Sequence, residues 1–397
     1  MTYDRTQNAG VRLLKAQKAQ RTNLCVGLDV HITPKVGLGA DFYHQFAKPD
    51  TQEQFRQILA LAANFGLAVP SPSGDSQEKL LSGIMEYFLQ IIRFSFKHQI
   101  FVYKPQASFY DRLGFAGSLI LHRLGREIHE QGQALGVPYF AGLDKKCGDI
   151  MTTQEPFYEA FLNGLGEESV PGLPGQYGFD TMTITTYMGR EVIEPGLAWY
   201  KNGKGAIVVT LSSNPSGTEI QDALATPNPG RQLTEKQEPY RLSAETVASI
   251  EQKLGRPPTV AELMLDITER VSATSGINDA ATGISPLFSV VGSTVKEPGA
   301  FRLLRPRGIA LVPAFGAQGG KFAYMMPILA HDDDEEMAGQ GAICSSSRGH
   351  DFAFQPENGG DGNPLNIEGN LVRAIEAFRH SEKAAYEEVH IHYPYAA

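Results

Sequence analysis

Cysteine is scarce in this chain: Cys25, Cys147 and Cys344 are the only three in 397 residues, an odd number, far apart and without CxxC spacing. That pattern excludes a disulfide framework and offers no zinc site, so reduced thiols are expected. Long clusters of Lys and Arg are also missing. With a formal net charge of −9, the chain is a poor match to nucleic acid, whose binding rests on neutralising phosphates. Any phosphate it binds should be small. No apolar run approaches the roughly 18 residues that span a bilayer, and residues 1–20 are polar and basic without a signal-peptide core. A cytoplasmic protein with no membrane partner is the expectation. Gly-rich nucleotide signatures are absent too. The turn after the first apolar run reads Asp29-Val30-His31-Ile32-Thr33-Pro34, not GxGxxG. Residues 316–321 miss the GxxxxGK[ST] spacing, and Phe322 stands where a magnesium-holding hydroxyl would be needed.

What is present is a recurrent alternation. Short apolar, β-rich runs occur at 24–28, 100–103, 137–143, 179–184, 206–211, 288–292, 308–312 and 342–344. Amphipathic helical patterns lie at 52–65, 78–96, 113–135, 244–254 and 370–388. Strands alternating with helices imply parallel pairing, and eight such units predict an α/β fold, a closed (β/α)8 barrel. The chain exceeds the roughly 250 residues typical of that fold, so insertions are expected near 39–99, with two helices, and near 222–286 and 329–341, all decorating a single domain. The acidic run 331–336 reads as a solvated loop because no calcium-loop spacing surrounds it. His390 and His392, placed as a pair in a strand, have no third ligand nearby and read as surface residues.

Barrel active sites gather at the C-terminal strand ends, and those positions are unusually polar here. Asp29 ends the first run, Lys104 the second, Ser212 and Ser213 the fifth, while 316–320 and 345–349 supply Gly, Gln, Ser and Arg after the last two. Backbone N–H groups and an Arg in such loops suit a phosphate. The third run continues into Asp144-Lys145-Lys146-Cys147-Gly148-Asp149-Ile150. If Asp144 closes the strand, a period of two puts Lys146 on its side, turns Lys145 away and leaves Asp149 in the loop beyond.

In these segments the chain resembles the orotidine 5′-monophosphate decarboxylases, in particular their longer bacterial-type branch. The resemblance runs in order through 24–29, Tyr103-Lys104-Pro105-Gln106, 144–153, 208–217, 312–320 and 346–349. It implies conversion of orotidylate to uridylate and CO2 in pyrimidine synthesis, without metal or organic cofactor. Lys104, Asp144, Lys146 and Asp149 would form an alternating catalytic tetrad, with Asp149 reaching into a partner subunit, so that the active unit is a homodimer. Asp29 and Lys104 with Thr153 would contact ribose, Ser212 the pyrimidine amide, and Gln318, Arg348 and the Ser347 backbone the phosphate. Pro313 and Ile150 would supply apolar wall. Two departures stand out: Thr185-Thr186 replaces a frequent Asn-Pro, and Ser347 replaces a frequent Gly, an exchange that keeps the backbone N–H.

Two other readings compete. Hexulose-phosphate synthases and ketogulonate-phosphate decarboxylases resemble the chain through the same third-strand motif, but they use magnesium and carry Glu where Lys104 stands. A cation there would repel a metal. The other is a regulatory nucleotide-binding barrel without turnover, which the complete tetrad argues against.

Overall fold

The computed structural model describes residues 6–32, 38–67, 75–164, 167–175, 177–292, 298–313, 322–330 and 334–395. Eight strands close into a barrel: β1 (Leu24–Gly27), β2 (Val102–Lys104), β3 (Phe140–Cys147), β4 (Thr181–Ile184), β5 (Gly205–Leu211), β6 (Leu287–Val291), β7 (Ile309–Val312) and β8 (Ala342–Ser346). Each pairs in parallel with its sequence neighbours, and β1 joins β8 through Leu24↔Cys344 to shut the ring. Every apolar run read from the sequence contributes one strand, as an apolar segment buried on both faces must.

Two cores divide the apolar side chains by parity. Val26, Tyr103, Ala141, Leu143, Met182 and Val208 face outward onto the surrounding helices. Cys25, Val102, Phe140, Ile207, Phe288, Ile309 and Ile343 fill the barrel, joined there by Ala9, Leu13 and Ala16 of the helix Ala9–Gln20. That amphipathic helix begins on Asn8, whose side chain accepts from the N–H groups of Gly10 and Val11 and satisfies two orphan donors.

The first two insertions are helical. Among the described residues, 39–99 hold three helices, Ala40–His44, Pro49–Asn64 and Asp75–Lys97, one more than the pattern predicts, because the five-residue first one is too short to show a period. Residues 222–286 hold Ala244–Leu254 and Val260–Thr274, the second opened by a Thr259/Glu262 capping box. Within the acidic run, Asp334 accepts from Arg307 at 2.5 Å and from the N–H groups of Glu336 and Met337 at 3.0 Å. His390 lies in the turn after the helix Ile367–Glu388 and His392 in the irregular segment beyond it, rather than in a strand. All three cysteines are free and buried, and no described helix is long and apolar enough to cross a membrane.

Candidate active site

Strand parity builds the site. Residues two apart on a strand share a face, so each side chain that fills the barrel points the residue two or four places later into its mouth. Cys25 leads through Gly27 to Asp29, Val102 to Lys104 and Gln106, Phe140 through Gly142 to Asp144, Leu311 to Pro313, and Ile343 through Ser345 to Ser347. Gly27 is required by close approach: a Cβ there would sit 2.6 Å from the Ser347 Cβ.

At the centre lies Asp144. Its Oδ2 accepts from Lys104 Nζ at 3.3 Å and from Gln106 Nε2 at 3.2 Å; its Oδ1 accepts from Lys146 Nζ at 2.5 Å and from the Thr183 hydroxyl at 2.9 Å. Burial alone would push this carboxyl up, but Lys104 and Lys146 outweigh it and bring it down to about 2. Burial likewise opposes the Lys104 charge, yet Asp144 and then Asp29 hold its ammonium above the ordinary lysine range. Lys104 and Asp144 are both buried, whereas the Lys146 ammonium is half exposed at the barrel mouth.

How Lys146 reaches Asp144 differs from expectation. The strand does not close at Asp144 but runs on to Cys147, and the four steps from Leu143 to Cys147 match only two from Met182 to Ile184. This bulge places Lys146 at φ 54°, a left-handed conformation that L-residues adopt at a cost of about 1–3 kcal/mol. Its N–H donates to Thr183 Oγ1 at 2.7 Å, which locks the bulge to the same hydroxyl that serves Asp144. Lys145 turns outward, as the period requires, to Asp111 at 2.7 Å. Beyond the bulge Gly148 passes against Thr185, where a Cβ would lie 2.5 Å from the Thr185 carbonyl oxygen. The Thr185 N–H donates to the Cys147 carbonyl at 2.7 Å, so this unusual Thr has a backbone role in holding the loop.

The remaining expected residues fall into three groups. Asp29 joins the centre, its Oδ1 accepting from the Gln106 N–H at 3.2 Å. Ser212, Pro313, Ser347 and Arg348 follow β5, β7 and β8 at the same mouth, while Gln318 lies outside the described residues. Ser212 is engaged: its N–H donates to Gln221 Oε1 at 2.9 Å and its hydroxyl accepts from Gln221 Nε2 at 3.0 Å. Among the described residues Asp149, Ile150 and Thr153 make no hydrogen bond with Lys104, Asp144 or Lys146. The Asp149 carboxylate accepts from the Ile150 N–H at 2.7 Å, Thr153 is exposed, and Ile150 is 63 % exposed. Sequence reasoning missed three partners, Gln106, Thr183 and Gln221. The first two had a signal, since each stands two residues after an inward-facing position; Gln221 had none, being nine residues from the group it clasps.

Comparison with known proteins gives the family of the chain. A family model described as orotidine 5′-phosphate decarboxylase / HUMPS matches residues 22–284. The orotidine 5′-phosphate decarboxylase of Rhodopirellula baltica is 30 % identical over 260 residues, 64 % of this chain and 68 % of that one. Its counterpart in a Nocardioides species is 27 % identical over 314 residues, covering 78 % and 82 %. Among solved structures, the Plasmodium berghei orotidine 5′-monophosphate decarboxylase superposes with a TM-score of 0.59 at 14 % identity, covering 96 % of this chain and 99 % of that one. The Leishmania donovani OMP decarboxylase gives 0.53 at 18 %, covering 94 % and 99 %. The two structures speak for the fold and the two sequences and the family model for descent: the chain belongs to the orotidine 5′-phosphate decarboxylase / HUMPS family.

Proposed function

We propose that the protein decarboxylates orotidine 5′-monophosphate to uridine 5′-monophosphate and CO2 in de novo pyrimidine synthesis, and that the whole chain acts as one decorated barrel domain. The observation that carries the reading is the Lys104–Asp144–Lys146 chain at the strand ends. Asp144 faces the substrate carboxylate and is repelled by it, a strain relieved as CO2 departs. Lys146 stabilises the carbanion developing at C6 and delivers the proton that replaces CO2. Its place at the mouth supports this role, since an ammonium that meets substrate must not be buried against protein alone. Lys104 holds Asp144 charged and, with Asp29, receives the ribose. Arg348 with the Ser347 N–H and Gln318 hold the phosphate. Pro313 lines the apolar wall. Ser212 reads the pyrimidine amide, whose C=O and N–H edge matches the Gln221 carboxamide that it replaces there.

In this reading Asp149, Ile150 and Thr153 complete the site of a partner subunit, and the working unit is a homodimer. Support comes from their position: among the described residues none hydrogen-bonds to Lys104, Asp144 or Lys146 of its own chain, and Ile150, Met151, Tyr187 and Met188, which follow β3 and β4 in sequence, are all exposed.

The magnesium-dependent branch of the same family is the second reading, and Lys104 speaks against it. An ammonium fixed on Asp144 takes the place and the charge that a divalent ion would need. The test is the fall in orotidylate absorbance on mixing with purified protein, with and without chelator. Turnover unchanged by chelator is expected; a loss on chelation that magnesium restores would move the chain to the enediolate branch.

A further inference from the structure

The chain leaving β1 has no regular hydrogen bonding, yet its backbone from residue 28 to 31 is held at each step by a side chain. Tyr110 donates to the Leu28 carbonyl at 2.5 Å, Arg112 to the Val30 carbonyl at 2.7 Å and Tyr43 to the His31 carbonyl at 3.2 Å. The fourth support is an acid: the Asp29 N–H donates to Asp351 Oδ2 at 2.9 Å. Asp351 is fully buried in the helical turn Arg348–Asp351, three residues after the proposed phosphate arginine. Its other oxygen, Oδ1, finds no hydrogen-bond partner among the described residues.

Burying a carboxyl to hold one N–H while its second oxygen goes unpaired is an expensive way to fix a loop, because a single hydroxyl or carbonyl acceptor would do so without leaving a buried polar atom unsatisfied. Such a residue points to function rather than stability. Asp29 stands at the head of a continuous path: Asp351 accepts from the Asp29 N–H, the Asp29 carboxylate accepts from the Gln106 N–H, and Gln106 Nε2 donates to Asp144. We propose that Asp351 is a positioning residue that sets the Asp29 carboxylate for the ribose hydroxyls, tying the turn that carries Arg348 to the sugar end of the site. This rests on the reading in which Asp29 meets ribose.

The protonation state is set by the surroundings. Burial, then the Asp29 charge, push the Asp351 carboxyl far above the usual carboxylate range, Lys104 counteracts only in part, and the facing Tyr43, Tyr87 and Tyr110 carry no positive charge. These surroundings favour the neutral acid over the carboxylate. Asn reproduces that form closely in shape and in hydrogen bonding.

The experiment is a double-mutant cycle read by titration calorimetry with uridylate and with 2′,3′-dideoxyuridylate, which lacks both ribose hydroxyls. Asp351→Ala should weaken uridylate about tenfold, the worth of one misplaced charge-assisted hydrogen bond, and leave the dideoxy nucleotide unchanged. In an Asp29→Ala background it should weaken nothing further. Asp351→Asn should restore uridylate binding to within about twofold of wild type. Should the alanine protein not fold, Asp351→Ser, which admits water in place of the carboxyl, takes its place in the cycle. Equal loss for both nucleotides, or losses that add in the double variant, overturns the proposal. If Asp29→Ala alone leaves uridylate binding intact, the fault lies instead with the placement of ribose at Asp29.

Discussion

Replacing Asp144 by Asn preserves the outline of the side chain and removes the charge on which two lysines depend. At 3.3 Å and an effective dielectric near 20, the contact with Lys104 is worth about 5 kcal/mol of Coulomb energy before desolvation is counted. The net benefit to the carboxylate is smaller. Its fall from the ordinary 3.8 to about 2 corresponds to roughly 2–3 kcal/mol. The neutral amide would also leave Lys104 buried without its strongest partner, a change that costs about 3–5 kcal/mol in comparable interiors. We expect Asp144→Asn to lose about 3 kcal/mol in urea denaturation near neutral pH. Because the folded carboxyl titrates below the unfolded one, the wild-type advantage is complete above the unfolded value and fades as pH falls from near 4 towards 2, so the two proteins should converge in that window. The same variant tests the chemistry. Without the facing carboxylate, orotidylate should bind more tightly relative to uridylate while turnover collapses, since ground-state repulsion is lost together with the lysine geometry. A stability loss below about 1 kcal/mol near pH 7, or a gap that does not narrow in acid, would refute the electrostatic argument. Unchanged relative affinity for the two nucleotides would refute the placement of the substrate carboxylate.

Two further predictions concern roles within the site. Lys146→Ala should abolish turnover while uridylate binding falls only modestly, whereas Arg348→Ala should chiefly raise KM through lost phosphate binding; steady-state kinetics beside calorimetry separates them, and similar modest effects on turnover would contradict both roles. Inactive Lys146→Ala and Asp149→Ala proteins, mixed under conditions of subunit exchange, should recover about a quarter of wild-type activity, because each mixed dimer holds one doubly damaged and one intact site. No recovery despite demonstrated heterodimers would return Asp149 to its own subunit.

The sequence by itself determined the barrel. Eight apolar runs buried on both faces, spaced by amphipathic helices, admit few other arrangements, and the period of two then fixes which residues enter the mouth. Asp29, Lys104, Asp144 and Ser347 were legible on that ground, because alternation is a local property of the backbone. The end of β3 was not legible in the same way. The bulge that carries Lys146 at positive φ depends on the β3–β4 register and on the Thr183 hydroxyl, neither of which exists until the two strands meet. The same holds for Asp351 against Asp29, 322 positions apart, and for Gln221 on Ser212. Periodicity reports which face a side chain takes; only closure of the ring decides which side chains from distant loops find one another across it.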